Sequence, residues 1–242
     1  PVYDAVFRHN AEHRGTDGSE PLPLIVPANE QGAGFMAAGY ARASGKVGVA
    51  LVTSGPGATN TVTPVRDCMA DSIPIVVICG QVPTAAIGTD AFQEAPIASI
   101  MGACAKHVFL VTDADRLEAT LRTAFEVARS GRPGPVVVDI PKDVQNAERR
   151  FAGEGVLPMP GYRARRRAVD GARLDAAACE RFFAALAQAR RPLLYAGGGV
   201  IAAGAADALR EFAEAFGIPV TTTLMGLGAF DTTHPLSLHM LG

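Results

Sequence analysis

The sequence has no excess of charge of either sign. Its 22 Lys and Arg stand against 24 Asp and Glu, a net charge of −2 over 242 residues. Without a basic surplus it lacks the footprint of a nucleic-acid binder, and without an acidic tail it offers nothing to a cationic partner. Long hydrophobic runs are also missing. Ile75 to Cys79 is typical of the longest, far below the roughly 18 residues that a membrane helix needs. The four cysteines, Cys68, Cys79, Cys104 and Cys179, include no Cys-x-x-Cys pair. That pattern argues against a disulfide framework or a zinc site, and for reduced core thiols in a reducing compartment. No Ser/His/Asp or Cys/His order stands out; His9, His13 and His234 fall in surface segments, and His107 and His239 are ambiguous. An initiating Met is lacking too. The chain opens at Pro1 with Val2 to Arg14 already helical, and stops at Met240-Leu-Gly242 with no closing element. It reads as a piece of something longer, so the want of a signal peptide says nothing about targeting.

What is there is a globular composition, 48% hydrophobic with Gly 26 and Pro 17. It supports a sizeable core and one large or two ordinary domains. Leu22–Val26, Val47–Thr53, Ile73–Cys79, Val108–Val111 and Val136–Ile140 are near-continuous apolar runs, as strands buried on both faces should be. Between them Gln31–Ser44, Ala58–Ala70, Glu94–Ala103 and Ala114–Ser130 are helix-like, with Asp113 placed as an N-cap for the last. The alternation predicts an α/β fold, a doubly wound parallel sheet over residues 1–145. Residues 146–173, rich in Arg, Gly and Pro and including Arg163-Ala-Arg-Arg-Arg167, read as a solvated linker. The pattern then resumes over 174–242: helix Asp175–Arg190, strand Leu193–Ala196, Gly197-Gly-Gly199, helix Ala205–Phe216 and strand Ile218–Thr223. This is a partial second α/β, Rossmann-like domain.

Ligands of open parallel sheets bind at the carboxyl ends of strands, so the residues after each run are the candidates. Glu30 stands at a strand-to-helix junction. Position alone favours a simple helix-start charge, which the dipole stabilises by about 0.3–1 kcal/mol. The small residues that follow, Gly32, Ala33, Gly34, Ala37, Ala38 and Gly39, make sense if another backbone or a ring packs closely there. Ser54-Gly-Pro-Gly-Ala-Thr-Asn60 has the look of a phosphate cradle opening a helix. It lacks both the Gly-Lys-Ser/Thr of a P-loop and the spacing of a dinucleotide fingerprint, so a structural turn and a ligand loop stay level.

Taken together, Asn29-Glu-Gln-Gly-Ala-Gly-Phe-Met-Ala-Ala-Gly-Tyr-Ala-Arg42, Thr53-Ser-Gly-Pro-Gly-Ala-Thr-Asn60, Asp71-Ser-Ile-Pro74 and Gly80-Gln-Val-Pro83 resemble the pyrimidine-side domain of thiamine-diphosphate enzymes. Ile87-Gly-Thr-Asp-Ala-Phe-Gln-Glu94, Gly131-Arg-Pro-Gly-Pro135, Ile140-Pro-Lys-Asp-Val144 and Leu224-Met-Gly-Leu-Gly-Ala-Phe230 narrow the resemblance to the large catalytic subunits of acetolactate synthases. The resemblance implies decarboxylation of pyruvate and ligation to a second 2-oxo acid, pyruvate or 2-oxobutanoate. Glu30 would then hydrogen-bond the aminopyrimidine of thiamine diphosphate as a buried carboxyl, with Pro56 and Asn60 lining that site. Phe92 and Gln93 would face the reaction centre of a neighbouring subunit, and Lys142 the substrate. Arg132, Gly197–Gly199 (Gly197, Gly198, Gly199) and Thr223, Leu224 and Met225 would contact FAD. Mg²⁺ would be bound by a domain absent from this chain, because no Gly-Asp-Gly…Asn motif is found, and no metal site is expected within it. The resemblance further implies a homodimer or homotetramer, a separate small regulatory subunit as a candidate partner, and the bacterial cytoplasm. It also implies that the domain's first strand lies upstream of Pro1. Asn29 departs from the family, where His is common. Other readings are a related carboligase, such as a sulfoacetaldehyde acetyltransferase, or, for this chain alone, a folded module without turnover.

Overall fold

The computed structural model describes residues 2–12, 21–170 and 174–241. The chain divides into two compact units, Pro1–Asp170 and Gly171–Gly242. His13 and Arg14 lie outside the described residues.

The first unit opens with α1 (Val2–Glu12). It continues through α2 (Glu30–Ser44), β1 (Gly48–Val52), α3 (Pro56–Thr59), α4 (Val62–Asp71) and β2 (Ile75–Gln81), then α5 (Ile97–Gly102), β3 (His107–Leu110), α6 (Leu117–Arg129), β4 (Val136–Pro141), α7 (Lys142–Asn146) and α8 (Pro160–Asp170). The four strands pair in parallel in the order β1-β2-β4-β3. All six residues of β4 are buried, as expected of a strand flanked by neighbours on both sides and covered on both faces. One face carries Val77, Cys79 and Val137 against Ala37, Ala41, Val65, Ile97 and Met101 of α2, α4 and α5. The other carries Val76, Val136, Val138 and Ile140 against Ala124, Val127 and Ala128 of α6. This is the doubly wound arrangement.

Local chemistry sets the helix ends. Asn29 Oδ1 accepts the Gly32 amide at 2.7 Å, making Asn29 the N-cap of α2, and Gly45 closes the helix in the left-handed region at φ 69°. The Asp113 carboxylate accepts from the Asp115 amide, as its position foretold. The small residues of α2 have a structural cause at two points. A Cβ on Gly34 would lie 2.4 Å from Pro64 Cγ, and one on Gly48 would lie 2.0 Å from the Ala37 carbonyl oxygen. Helix α2 therefore sits closer to α4 and β1 than larger side chains would permit.

Two sequence expectations are corrected. Leu22–Val26 is not a strand; residues 21–27 are irregular, and Leu22, Leu24, Ile25 and Val26 are exposed. An apolar run qualifies a segment for a sheet, but a strand also needs a neighbour, and among the described residues this one has none. Its backbone is tied instead to the Asn10 amide, which donates to the Leu22 carbonyl at 2.9 Å and accepts its N–H at 2.8 Å. The stretch 146–173 is not wholly a linker either. Met159 and Tyr162 pack on the α6 side of the sheet, and Arg163 and Arg166 both reach the Glu126 carboxylate, at 3.1 and 2.9 Å. Two arginines of the basic run thus face Glu126 from α8, and the first unit extends to Asp170.

The second unit contains α9 (Ala176–Gln188), β5 (Leu194–Ala196), α10 (Gly198–Ala202), α11 (Ala206–Phe216), β6 (Val220–Thr222) and β7 (Ser237–Met240). Its strands are parallel in the order β5-β6-β7. The core is small: Ala196, Ala213, Val220 and Phe230, with Leu194, Val200, Leu209 and Leu236 around them. His234 is half-buried rather than on the surface. Its Nδ1 accepts the Leu236 amide at 3.1 Å, its Nε2 lies 3.2 Å from Glu214 Oε1, and its ring meets Phe230 edge-on.

Candidate active site

The first unit's candidates gather where the sheet rule places them, past the carboxyl ends of β1, β2 and β4. Glu30 is the first residue of α2, half-buried. Its Oε2 accepts from Asn60 Nδ2 at 3.0 Å, across 30 residues of sequence. That amide, followed by a backbone N–H at the helix start, holds the Glu30 carboxyl below the usual carboxylate range. In this chain by itself the Glu30 carboxyl is half-buried and on the ionised side.

The turn between β1 and α3 closes tightly around this carboxylate. A Cβ on Gly57 would come within 2.6 Å of Thr53 Cγ2 and 3.7 Å of Glu30 Oε1. Gly55 adopts φ 58°, and a Cβ there would stand 2.5 Å from the Gln93 carbonyl oxygen. Only glycine suits both the left-handed backbone and the approach. The Ser54–Asn60 turn and the Phe92–Gln93 loop are therefore in backbone contact. Pro56 is exposed at the start of α3 and Asn60 at its end.

Phe92, Gln93 and Lys142 line one cavity of about 510 Å³ with Thr53, Ser54 and Gly80. Phe92 is 90% exposed, an unusual setting for a large apolar side chain and one that suits contact with something outside the chain. Gln93 has φ 61°, in the left-handed region. The loop that presents them is held by carboxylates. Glu94 Oε1 accepts the Gly88 amide at 2.5 Å and Oε2 the Ala91 amide at 3.1 Å. Asp143 accepts the Thr84 amide at 3.0 Å and the Thr84 hydroxyl at 2.5 Å. Those bonds keep both acids well on the ionised side. Sequence reasoning quoted Glu94 and Asp143 within motifs but gave neither a role. A carboxylate closing a loop that contains Gly88 at φ 85° was the available signal.

In the second unit, two candidate loops meet at the carboxyl ends of β5 and β6. The Thr223 amide donates to the Ala196 carbonyl at 2.9 Å, and Thr223 Oγ1 accepts from Gly226 at 3.1 Å. A Cβ on Gly198 would stand 2.9 Å from the Met225 carbonyl oxygen, whereas Gly199 faces open space. Gly197 precedes α10 and Leu224 is exposed. Arg132 belongs to the first unit, where its guanidinium donates to Ser72 Oγ at 2.8 Å and to the carbonyls of Met69 and Ala70 at 2.9 and 3.0 Å. It caps the end of α4. All four cysteines are free thiols. Among the described residues, no group of three or more His, Cys, Asp or Glu is placed to hold a metal ion, and no helix is long and apolar enough to cross a membrane.

Residues 10–101 match the N-terminal TPP binding domain of thiamine pyrophosphate enzymes, and residues 179–242 match their central domain. The chain is 46% identical over 242 residues to the acetolactate synthase large subunit of Corynebacterium glutamicum, covering all of this chain and 36% of that protein. It is 50% identical over 230 residues to chloroplastic acetolactate synthase 1 of Zea mays, covering 95% of this chain and 35% of the relative. With the mitochondrial catalytic subunit of Saccharomyces cerevisiae it is 47% identical over 246 residues, covering all of this chain and 34% of that protein. The chain thus spans about a third of the length of these relatives. With the site at the strand ends, the two matched domains and this level of identity, the chain belongs to the thiamine pyrophosphate enzyme family, and the relatives it resembles within that family are acetolactate synthases.

Proposed function

We propose that this chain supplies the pyrimidine-side half of an acetolactate synthase active site, together with part of a flavin-binding domain. The observation that carries the reading is the Glu30–Asn60 pair, set beside the cavity lined by Phe92, Gln93 and Lys142. The residues suit an aminopyrimidine: one ionised carboxylate fixed by an amide, backed by a turn in which Gly57 leaves no room for a side chain. Bound thiamine diphosphate would supply an acidic ring C–H and a sink for the electrons released as carbon dioxide leaves pyruvate.

The chain's own residues do the rest. Glu30 would share a proton with the pyrimidine ring nitrogen and take it back, and enclosure of its carboxyl by the bound ring would raise its proton affinity toward the range such exchange needs. Asn60 fixes the carboxylate's direction. Lys142 offers a positive charge to the carboxylate of the incoming 2-oxo acid. Phe92 supplies an apolar wall that excludes water from the reacting carbons, and Gln93 a polar group to orient the acceptor. For FAD, the proposed contacts are the Gly197–Gly199 turn and Thr223–Met225, which lie where an open sheet receives ligands. Mg²⁺ is assigned no ligand in this chain. The proposed assembly is at least a dimer, and the proposed compartment is the bacterial cytoplasm; free cysteines support a reducing setting. The maize and yeast relatives are named chloroplastic and mitochondrial.

The test is Glu30→Gln in the polypeptide extended to the length of these relatives. Acetolactate formation from pyruvate is expected to fall by about 10²–10⁴-fold, the usual worth of a positioned acid–base group. Full retention would sink the assignment. Turnover of sulfoacetaldehyde in preference to pyruvate would move the reading to the related carboligase.

A further inference from the structure

The Gly80-Gln-Val-Pro83 motif has a second partner that the proposed mechanism does not use. Gln81 ends β2 and is buried, as is Asp139 in the middle of β4. β2 and β4 run in register with Cys79 beside Asp139, so the Asp139 side chain points to the sheet face covered by α5, the face that Cys79 and Val137 also occupy. Gln81 Nε2 donates to Asp139 Oδ2 at 3.0 Å and to the Ala95 carbonyl at 3.2 Å, while its Oε1 accepts the Val82 amide at 2.8 Å. Every polar group of the Gln81 side chain is therefore spent, and its orientation is fixed. Ala95 ends the loop that carries Phe92 and Gln93. A carboxylate on the face of Cys79, Val77 and Val137 needs a reason, because a buried polar group without full pairing is destabilising; among the described residues Asp139 Oδ1 has no hydrogen-bond partner.

We propose that Asp139 is a positioning residue: by accepting from Gln81 it locks the amide that ties Ala95 to the end of β2, and so holds the Phe92–Gln93 loop at the mouth of the cavity. Glu94 and Asp143 shape the loop from within and at its start; the Asp139–Gln81 strut anchors its far end to the sheet. The loop then joins the sheet through buried groups rather than through exposed ones that water would loosen. Only the catalytic consequence rests on the function proposed above; the strut itself stands on this geometry.

The experiment is hydrogen exchange on the intact chain. In the unaltered protein the Gln81 side-chain amide protons should exchange as slowly as the strand amides beside them; exchange at the rate of an exposed glutamine would overturn the proposal. Gln81→Leu and Asp139→Val should speed exchange at the Thr89, Ala91 and Glu94 amides by about tenfold, with β1 and β4 unchanged. Asp139→Asn, which keeps an accepting oxygen, should retain the loop's protection. Unchanged protection in Gln81→Leu, or Asn behaving as Val does at position 139, overturns the strut. In the extended polypeptide, Asp139→Val should lower kcat more than it raises KM. Faster loop exchange in the variants with no kinetic effect would keep the strut and overturn its catalytic consequence, whereas loss of the Glu30 phenotype bears on the functional reading alone.

Discussion

The two sheets follow the same rule with very different means. In the first unit, β2 and β4 are seven and six residues long and run between neighbours on both sides, with a core on each face. In the second, β5 and β6 have three residues each over a single small cluster, and α9 buries no residue at all. Phe182, Phe183 and Phe216 of α9 and α11 stack on one another while remaining about half exposed. Both sheets present candidate ligand loops at their carboxyl ends, but among the described residues only the first backs those loops with a dense core and three carboxylates. A scaffold that must hold an acid–base group in place needs that backing more than one that only cradles a cofactor.

The comparison breaks most sharply on core truncation. Ile75 and Ile218 are both fully buried, one in β2 between two strands and one at the entrance to β6. Ile75→Ala should cost about 2–5 kcal/mol, because a rigid interior cannot collapse onto the cavity. Ile218→Ala should fall at the low end of that range, since the thin second core can relax. Hydrogen exchange read separately over β1, β2 and β4 and over β5 and β6 measures each. An equal or larger loss for Ile218 would show the two cores to be equally tight.

A pH scan sharpens the same contrast. Burial pushes the Asp139 carboxyl up to about 6 from the usual 3.8, although the Gln81 amide pulls the other way. The folded chain thus binds this proton more tightly than the unfolded one. The stability it contributes is complete below about pH 4 and is lost as pH rises to about 6, in total about 3 kcal/mol at 1.36 kcal/mol per unit. The titratable group facing it is the Cys79 thiol, which burial keeps neutral. Glu30, Glu94, Asp143 and Asp231 are shifted the opposite way and lose stability as pH falls. The quantity to measure is therefore the difference in unfolding free energy between the natural chain and Asp139→Asn from pH 4 to 7. A flat difference would show that Asp139 is not desolvated.

Much of this was legible in the residues. Four of the five near-continuous apolar runs fall on the four strands of the first sheet to within two residues, and the strand-end rule pointed to the Ser54–Asn60 turn and Lys142, whereas Phe92 and Gln93 came from the resemblance alone. Where reading failed, the missing information was nonlocal. Leu22–Val26 has a strand's composition, but no sequence says whether a partner is present. The arginines of α8 look solvated because their shared acid, Glu126, lies about 40 residues earlier. Asp139 was hidden inside an apolar run, where only its partner Gln81, 58 residues away, gives it meaning.

The smallest effect tests what the small residues of α2 are for. Close packing accounts for Gly34, whose added Cβ would strike Pro64, but not for Gly39, which is exposed and has nothing within 4 Å of an added Cβ. Gly34→Ala should therefore destabilise the chain by about 1–3 kcal/mol through overpacking. Gly39→Ala should stabilise it by roughly 0.5–1 kcal/mol, the helix-interior preference for Ala over Gly, with no steric penalty to offset it. Thermal unfolding of the two single variants decides the stability question, and turnover in the extended polypeptide decides the other. If Gly39→Ala is more stable yet loses activity, the glycine is kept for a surface that approaches the α2 face from outside this chain, as the openness of Phe92 also suggests. If it is more stable and fully active, Gly39 has no such role, and close approach to α2 is confined to Gly34 and Ala37 within the first unit.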